Sequence, residues 1–328
     1  MIDRRRFVAA LAGGFAAASL VRKVEAAGRI WRIGYLTPTR KSATARLQAP
    51  LTKALRELGY VEGENLAFEA RAAEDDVDRL AGLAAELARS RVDLIVAIGP
   101  PAIRAAAQAT KTIPIVMAFW GGPGLIESGT IASFARPGTN VTGIYMLASE
   151  LEEKRLQLLV QAVPGARRIA VLNPGAEQTE RLAELRGVAD AAGIDLRMSA
   201  VADSNHYVPV FEALARDQVG AVLVPSFPRF YLEHQDIIEA AAKAHVPAMY
   251  EWGEMARDGG LIAYGPDFIE LHRRVAFYIE QVLKGTKPAE LPVEQPTKFE
   301  LVINLGTARA LGLRIPQALL LRADEVIA

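Results

Sequence analysis

Ten short apolar runs, separated by amphipathic stretches, constrain this chain more than any other feature. They fall at 30–36, 65–70, 93–98, 113–119 and 140–145, then at 168–172, 195–199, 221–225, 246–250 and 261–264. Their spacing, roughly 20–30 residues, is the span of a βα unit. The stretches between them carry helical patterns. Residues 78–89 put Leu80, Leu83, Ala84 and Leu87 on one face, with charges opposite. Ser149 with Glu152, and Asp267 with Glu270, form capping boxes ahead of helices running to about 162 and about 283. Gly59, Gly193 and Gly285 stand where helices should stop. Strand–helix alternation implies parallel sheets with right-handed crossovers. Two such series predict an α/β protein of two doubly wound, Rossmann-like lobes. The turn-rich stretch 136–140 is the expected boundary. Loops at the carboxyl ends of the strands should face each other across a cleft, where open α/β sheets hold ligands.

Several function classes are excluded. The 328 residues include no cysteine, so there is no disulfide, thiol nucleophile, cysteine-held metal or lipid-modified cysteine. The four histidines (206, 234, 245 and 272) lack metal-ligand spacing, and no metal or cofactor is expected. With 38 basic against 38 acidic residues and no basic cluster beyond the amino terminus, nucleic acid is not an expected partner. Residues 1–26 read as an export signal. Arg4, Arg5 and Arg6 precede an apolar stretch over 7–21, and Val24-Glu25-Ala26 is a small-residue cleavage pattern. The arginines followed by Phe7 and Val8 resemble the twin-arginine motif. An uncleaved membrane anchor is the competing reading, set against an apolar stretch short for a bilayer. Removal of 1–26 takes five basic and two acidic residues and leaves an acidic, soluble, exported remainder.

Candidate site residues lie in the loops that follow the strands. They are Thr37; Gly99 and Pro100; Phe119, Trp120 and Gly122; Tyr145; Asn173; Ser226 and Phe227; Tyr250 and Glu251; and Tyr264. Glycine-led helix starts at Gly99 and beyond Asn173 offer backbone N–H groups to a carboxylate. The aromatic residues suit a ring-bearing ligand. Taken singly, each loop reads as ordinary turn chemistry and each aromatic as core packing; only their convergence on one cleft favours a ligand. Glu152-Glu153 and Asp75-Asp76 read as solvated faces. No dinucleotide fingerprint, P-loop or nucleophile elbow occurs, and a Ser226–His234 pair has no identifiable orienting acid. No catalytic residue is assigned.

Longer segments carry a resemblance. They are LRELGYVEGEN at 55–65, DLIVA at 93–97, IPIV at 113–116, ASFARPGTNVTG at 132–143 and KRLQLL at 154–159. GGLIAYGP at 259–266, LPVEQPTKFELVIN at 291–304 and LLLRADEV at 319–326 complete them. With these segments the chain resembles the substrate-binding components of ABC-type importers, in the family that includes tryptophan-binding proteins. The resemblance implies a type I periplasmic-binding fold with a three-crossing hinge near 140–145, 252–263 and 292–298. The implied division is 27–143 in lobe 1, 144–255 in lobe 2, 256–292 back in lobe 1 and 293–328 back in lobe 2. Relatives usually carry Asp-Pro where this chain has Gly122-Pro123, and often Thr or Ser at Pro100. These departures weaken an amino-acid ammonium site, for which Glu251 is a substitute. Trp120 favours an apolar or aromatic ligand, including a carboxylate without an amine.

The implied function is capture of a small ligand by hinge closure, with Gly138, Gly143 and Gly265 as hinge candidates. Delivery to a membrane permease by a monomeric periplasmic protein follows, with no cofactor. A periplasmic sensor in place of the permease is the first alternative, and an exported α/β hydrolase or transferase the second. A DNA-binding regulator on this fold is disfavoured by the export signal.

Overall fold

A computed structural model describes residues 29–328 except 122–123, 147, 174–178 and 203, and describes the backbone alone at 120, 148, 149, 179–184 and 204. The first sheet holds β1 (Trp31–Thr37), β2 (Leu66–Ala72), β3 (Leu94–Ile98), β4 (Ile115–Gly121) and β5 (Val141–Met146). Its order is β2-β1-β3-β4-β5, all parallel. All five residues of β3 are buried, as a central parallel strand covered on both faces requires.

The second sheet holds β6 (Arg168–Asn173), β7 (Asp195–Ala200), β8 (Ala221–Leu223), β9 (Ala248–Tyr250), β10 (Ile262–Pro266), β11 (Phe299–Asn304) and β12 (Glu325–Ile327). Its order is β12-β11-β10-β9-β8-β6-β7. Each of the ten expected runs overlaps one of β1–β10. The last two strands were not among them, and β11 runs antiparallel to β10, which departs from a purely parallel sheet.

The described helices of the first lobe are α1 (Lys41–Glu57), α2 (Leu80–Arg89) and α3 (Gly99–Ala109). In and around the second lobe lie α4 (Ala148–Ala162), α5 (Thr179–Ala191), α6 (Tyr207–Arg216), α7 (Pro228–Leu232), α8 (His234–Lys243) and α9 (Gly253–Arg257). The chain continues with α10 (Phe268–Leu283), α11 (Leu305–Ala310) and α12 (Gln317–Leu320). Gly59, Gly193 and Gly285 all take positive φ just past α1, α5 and α10.

The chain passes between the sheets three times: after Met146, after Pro266, and between Glu294 and Phe299. Sheet membership therefore corrects the expected boundaries. The turn-rich stretch 136–140 lies within the first lobe, between β4 and β5. Residues 144–146 complete β5, so the boundary at 143 falls too early. Residues 262–266 pair with β9 and β11 in the second sheet, so lobe 2 extends past 255. Glu294 still pairs with Ile144 of the first sheet, one residue past the expected return at 293. Gly138 and Gly143 accordingly sit inside the first lobe. Gly143 is required where it is: a Cβ there would meet the Met117 carbonyl oxygen at 2.2 Å, and its φ is +130°.

Helix α10 explains the second passage. Asp267 caps it, accepting hydrogen bonds from the N–H groups of Ile269 and Glu270, each at 2.9 Å. Leu271, His272, Val275, Ala276, Tyr278 and Ile279 form a buried stripe at helical spacing. That stripe packs on α1, β3, β4 and β5, so a helix that follows the second lobe in sequence completes the first. Three apolar clusters result. One fills the α2–α3 face of the first sheet and one the α4–α5 face of the second. The third runs without a break from Ile33 and Val96 through Trp252 and Phe268 to Val222 and Phe211, joining the lobes.

Candidate ligand-binding cleft

Strand order places the cleft. In each sheet the order reverses next to the first strand of its series, between β1 and β3 and between β6 and β8. Loops at such a switch point diverge and leave a crevice beyond the carboxyl ends of the strands. Thr37 ends β1, Gly99 and Pro100 open α3 after β3, Asn173 ends β6, and Ser226 and Phe227 follow β8. These six expected residues thus occupy the two switch points. The two carboxyl edges meet: Phe119 near the end of β4 lies with its ring centroid 6.4 Å from that of Trp252, just past β9.

Thr37 is fully buried, and its Oγ1 lies 2.9 Å from that of Thr39. Gly99 has φ +74°, which lets the chain turn from β3 directly into α3. Phe119 also has a positive φ, +64°, strained for a bulky side chain. It sits where the β4–β5 register shifts between Met117 and Trp120. Such a bulge re-aims side chains, and the Phe119 ring packs against Trp252, Phe268 and His272.

Other expected residues are placed differently. Tyr145 meets Phe134 edge-on, 5.0 Å between centroids, in the cluster on the opposite face of the sheet from Phe119. Tyr250 is a core residue, 1% exposed, and its burial pushes the phenol pKa up. Tyr264 stacks on Phe299 within the second lobe. The backbone of Trp120 pairs with Tyr145; its side chain, Gly122 and the residues just past Asn173 lie outside the described residues, as does the export signal.

A buried charged group occupies the second lobe's edge. Glu152, Arg155 and Glu251 are at most 3% exposed. The Ser226 N–H donates to Glu152 Oε1 at 3.2 Å. Arg155 Nε donates to the Tyr264 carbonyl at 2.7 Å, and its Nη2 lies 3.5 Å from Glu251 Oε1. Glu152 is therefore not on a solvated face. Its carboxylate turns inward because the start of α4 abuts the loop after β8. Helix α4 begins at Ala148, ahead of the expected Ser149 cap.

The sequence reading missed Tyr231, Phe268 and His272. Tyr231 stacks on Phe268 at 4.5 Å, and Phe268 meets Trp252 edge-on at 4.9 Å. His272 Nδ1 donates to the Phe268 carbonyl at 2.8 Å, and burial lowers its pKa to about 4, so the imidazole is neutral near pH 7. The Ser226–His234 pairing does not form. His234 Nδ1 donates to the Tyr231 carbonyl at 2.6 Å and Nε2 lies 2.8 Å from Asp258, so neither nitrogen serves Ser226. Among the described residues, no cluster of three or more His, Asp or Glu could hold a metal, and no helix is long and apolar enough to cross a membrane.

Two lobes with facing carboxyl edges and three chain passages define a type I periplasmic-binding fold. The chain belongs to the ABC transporter substrate binding protein family, which matches residues 36–327. It is 25% identical over 264 residues to a tyrosine-binding protein of Clostridioides difficile, covering 80% of this chain and 75% of that one. A conserved domain protein from Vibrio cholerae has a similar structure, with TM-score 0.77 and 26% identity over 91% of this chain and all of that one. An ABC domain from Streptococcus pneumonia in complex with L-Trp gives TM-score 0.75 and 26% identity with the same coverage.

Proposed function

We propose that this protein is the periplasmic substrate-binding component of an ABC-type importer. It captures a small aromatic ligand between its lobes and hands it to a membrane permease without chemistry. The observation that carries the reading is the aromatic contact between the lobes. Phe119, Trp252, Phe268 and Tyr231 pack ring on ring where the two carboxyl edges meet. Relatives described as binding tyrosine and L-Trp support an aromatic ligand. Thr37, Gly99, Asn173, Ser226 and Phe227 supply the surrounding walls.

The three passages act as the hinge, with Gly265 one residue before the second. A Cβ at Gly265 would meet the Glu251 carbonyl oxygen at 2.2 Å, so only glycine lets this segment lie against the β9 loop. The twin-arginine-like leader exports the chain, which works as a monomer. Ligand binding shifts the population toward the closed form.

The test is thermal-shift and small-angle scattering on residues 27–328 with tyrosine, tryptophan, their decarboxylated analogues, sugars and nucleosides. A concentration-dependent rise in midpoint for aromatic compounds, with a smaller radius of gyration, is expected. A response confined to sugars or nucleosides would overturn the aromatic reading.

A further inference from the structure

Because the chain changes lobe three times, each lobe holds three chain ends that must keep their places when the lobes move. In the first lobe these are the end of β5, the start of α10 and Glu294. In the second they are the start of α4, the end of β10 and the start of β11. Backbone pairing joins two of the three in each lobe. The Glu294 N–H donates to the Gly143 carbonyl at 3.0 Å, and the Tyr145 N–H to the Glu294 carbonyl at 2.8 Å. Pro266 lies opposite Phe299 in the β10–β11 pair. The third end is a helix in both lobes, and in both an arginine ties it to the others.

Arg155 stands about two turns into α4 and donates through Nε to the Tyr264 carbonyl of β10 at 2.7 Å. Arg274 stands about two turns into α10 and grips Glu294 with both arms of its fork, Nε 3.0 Å from Oε2 and Nη2 2.6 Å from Oε1. The rings of Phe277 and Tyr278 hold the guanidinium in place, their centroids 4.3 and 5.9 Å from its central carbon. The same helix reaches this segment once more, where Tyr278 Oη donates to the Pro292 carbonyl at 2.5 Å. The Arg274 and Glu294 side chains are 36% and 42% exposed, so their pair adds little to the stability of the fold. Its placement bears on motion instead. The anchored segment ends at Glu294, and four residues, 295–298, separate it from β11.

We infer that Arg274 is a positioning residue for lobe closure: by holding Glu294 to α10 it fixes the first-lobe ends of the second and third passages to each other, so that the lobes turn about one axis. This rests on the hinge proposed above and names a residue that governs it. Without the grip, Glu294 leaves β5 as the lobes open, the bend spreads from 295–298 back into 291–294, and the open form becomes a broad set of orientations.

The chain has no cysteine, so Lys53→Cys on α1 and Glu239→Cys on α8, both at exposed positions, place one spin label on each lobe. Interlobe distances are measured by pulsed electron paramagnetic resonance with Arg274 intact, in R274M, and in E294Q, which leaves Arg274 its contacts with Phe277 and Tyr278. Without ligand, both variants should at least double the width of the distance distribution and leave the melting midpoint unchanged. The Glu294 and Tyr145 amides should exchange hydrogen at least tenfold faster. Unchanged widths in both variants would overturn the inference even if exchange quickens, because Arg274 would then be a local tie. In that case, a shift of the mean distance when L-tryptophan or L-tyrosine is added to the labelled protein with Arg274 intact leaves the hinge reading standing. No shift with either removes that reading as well.

Discussion

Phe268 and Tyr231 stack across the boundary between the lobes, their ring centroids 4.5 Å apart and their planes inclined by 28°. Tyr231 rides on a helix of the second lobe, and Phe268 is the first residue of the helix that completes the first. A single ring pair thus joins the two lobes at this point. Phe268→Ala removes that stack together with the edge contact to Trp252. Beyond lost burial, each aromatic pair is worth about 0.5–1.5 kcal/mol. The variant should populate the open form, with a larger radius of gyration in ligand-free scattering and at least tenfold weaker ligand binding. An unchanged radius and affinity would show that the stack does not hold the lobes together.

Two glycine substitutions separate crowding from backbone conformation. Gly143→Ala forces a methyl group to 2.2 Å from the Met117 carbonyl oxygen in addition to its positive φ, and should lower stability by more than about 3 kcal/mol. Gly63 has φ +86° but nothing within 4 Å of where a Cβ would sit, so Gly63→Ala should cost only about 1–2 kcal/mol. Urea midpoints of the two variants, measured side by side, test the difference.

The buried pair Arg155–Glu251 should behave non-additively. Arg155→Met leaves the Glu251 carboxylate buried without its guanidinium, a loss of roughly 3–5 kcal/mol. Adding Glu251→Leu should recover part of that loss, because an apolar pair has no charge to desolvate. A double variant as unstable as the sum of the two singles would contradict the coupling.

His272 gives the fold a pH dependence of definite sign. Its pKa is about 4 in the folded protein against 6.5 when free of burial. Between those values the unfolded chain binds the proton and the folded chain does not. Stability contributed by the neutral ring is therefore complete above pH 6.5 and lost as pH falls toward 4, by up to about 3 kcal/mol. His272→Asn should flatten the stability profile between pH 4 and 6.5. A profile identical to that of the unaltered protein would assign the dependence to other groups.

Much of the architecture was legible because parallel strands buried on both faces read as unbroken apolar runs; 94–98 is the clearest case. Helix punctuation was equally plain at Asp267 and Gly285, where a side-chain cap and a positive φ are local requirements. Sheet membership was not local. The run 261–264 closes the second series in the sequence reading, whereas the division implied by the resemblance put it in lobe 1; its pairing with β9 and β11 assigns it to the second lobe. The short final strand, Glu325–Ile327, carries too little apolar pattern to announce itself.

The cleft was legible in part for the same reason. Turn residues after strands, such as Thr37, Gly99 and Ser226, are marked by position. Tyr231, Phe268 and His272 lie on helices, where a residue facing the other lobe has the same spacing as one facing the core. Glu152 looks solvated beside Glu153 in sequence, and only the loop after β8 reveals which of the two turns inward. The prolines at 100 and 101 are visible in the sequence, but that they form the first turn of α3 follows only from the helix starting at Gly99.

The late arrival of α10 has a consequence for biogenesis. Synthesis runs from the amino terminus, so all five strands of the first sheet have been made before the helix that covers one face of β3, β4 and β5 exists. A nascent chain ending near Met146 carries that apolar face bare, and it stays bare while β6 to β10 of the second lobe are translated. The first lobe cannot mature ahead of the second, as amino-terminal domains of multidomain chains generally do. Escape from aggregation during this interval therefore depends on a holding factor or on the second lobe folding early enough to deliver Phe268 and the helix behind it.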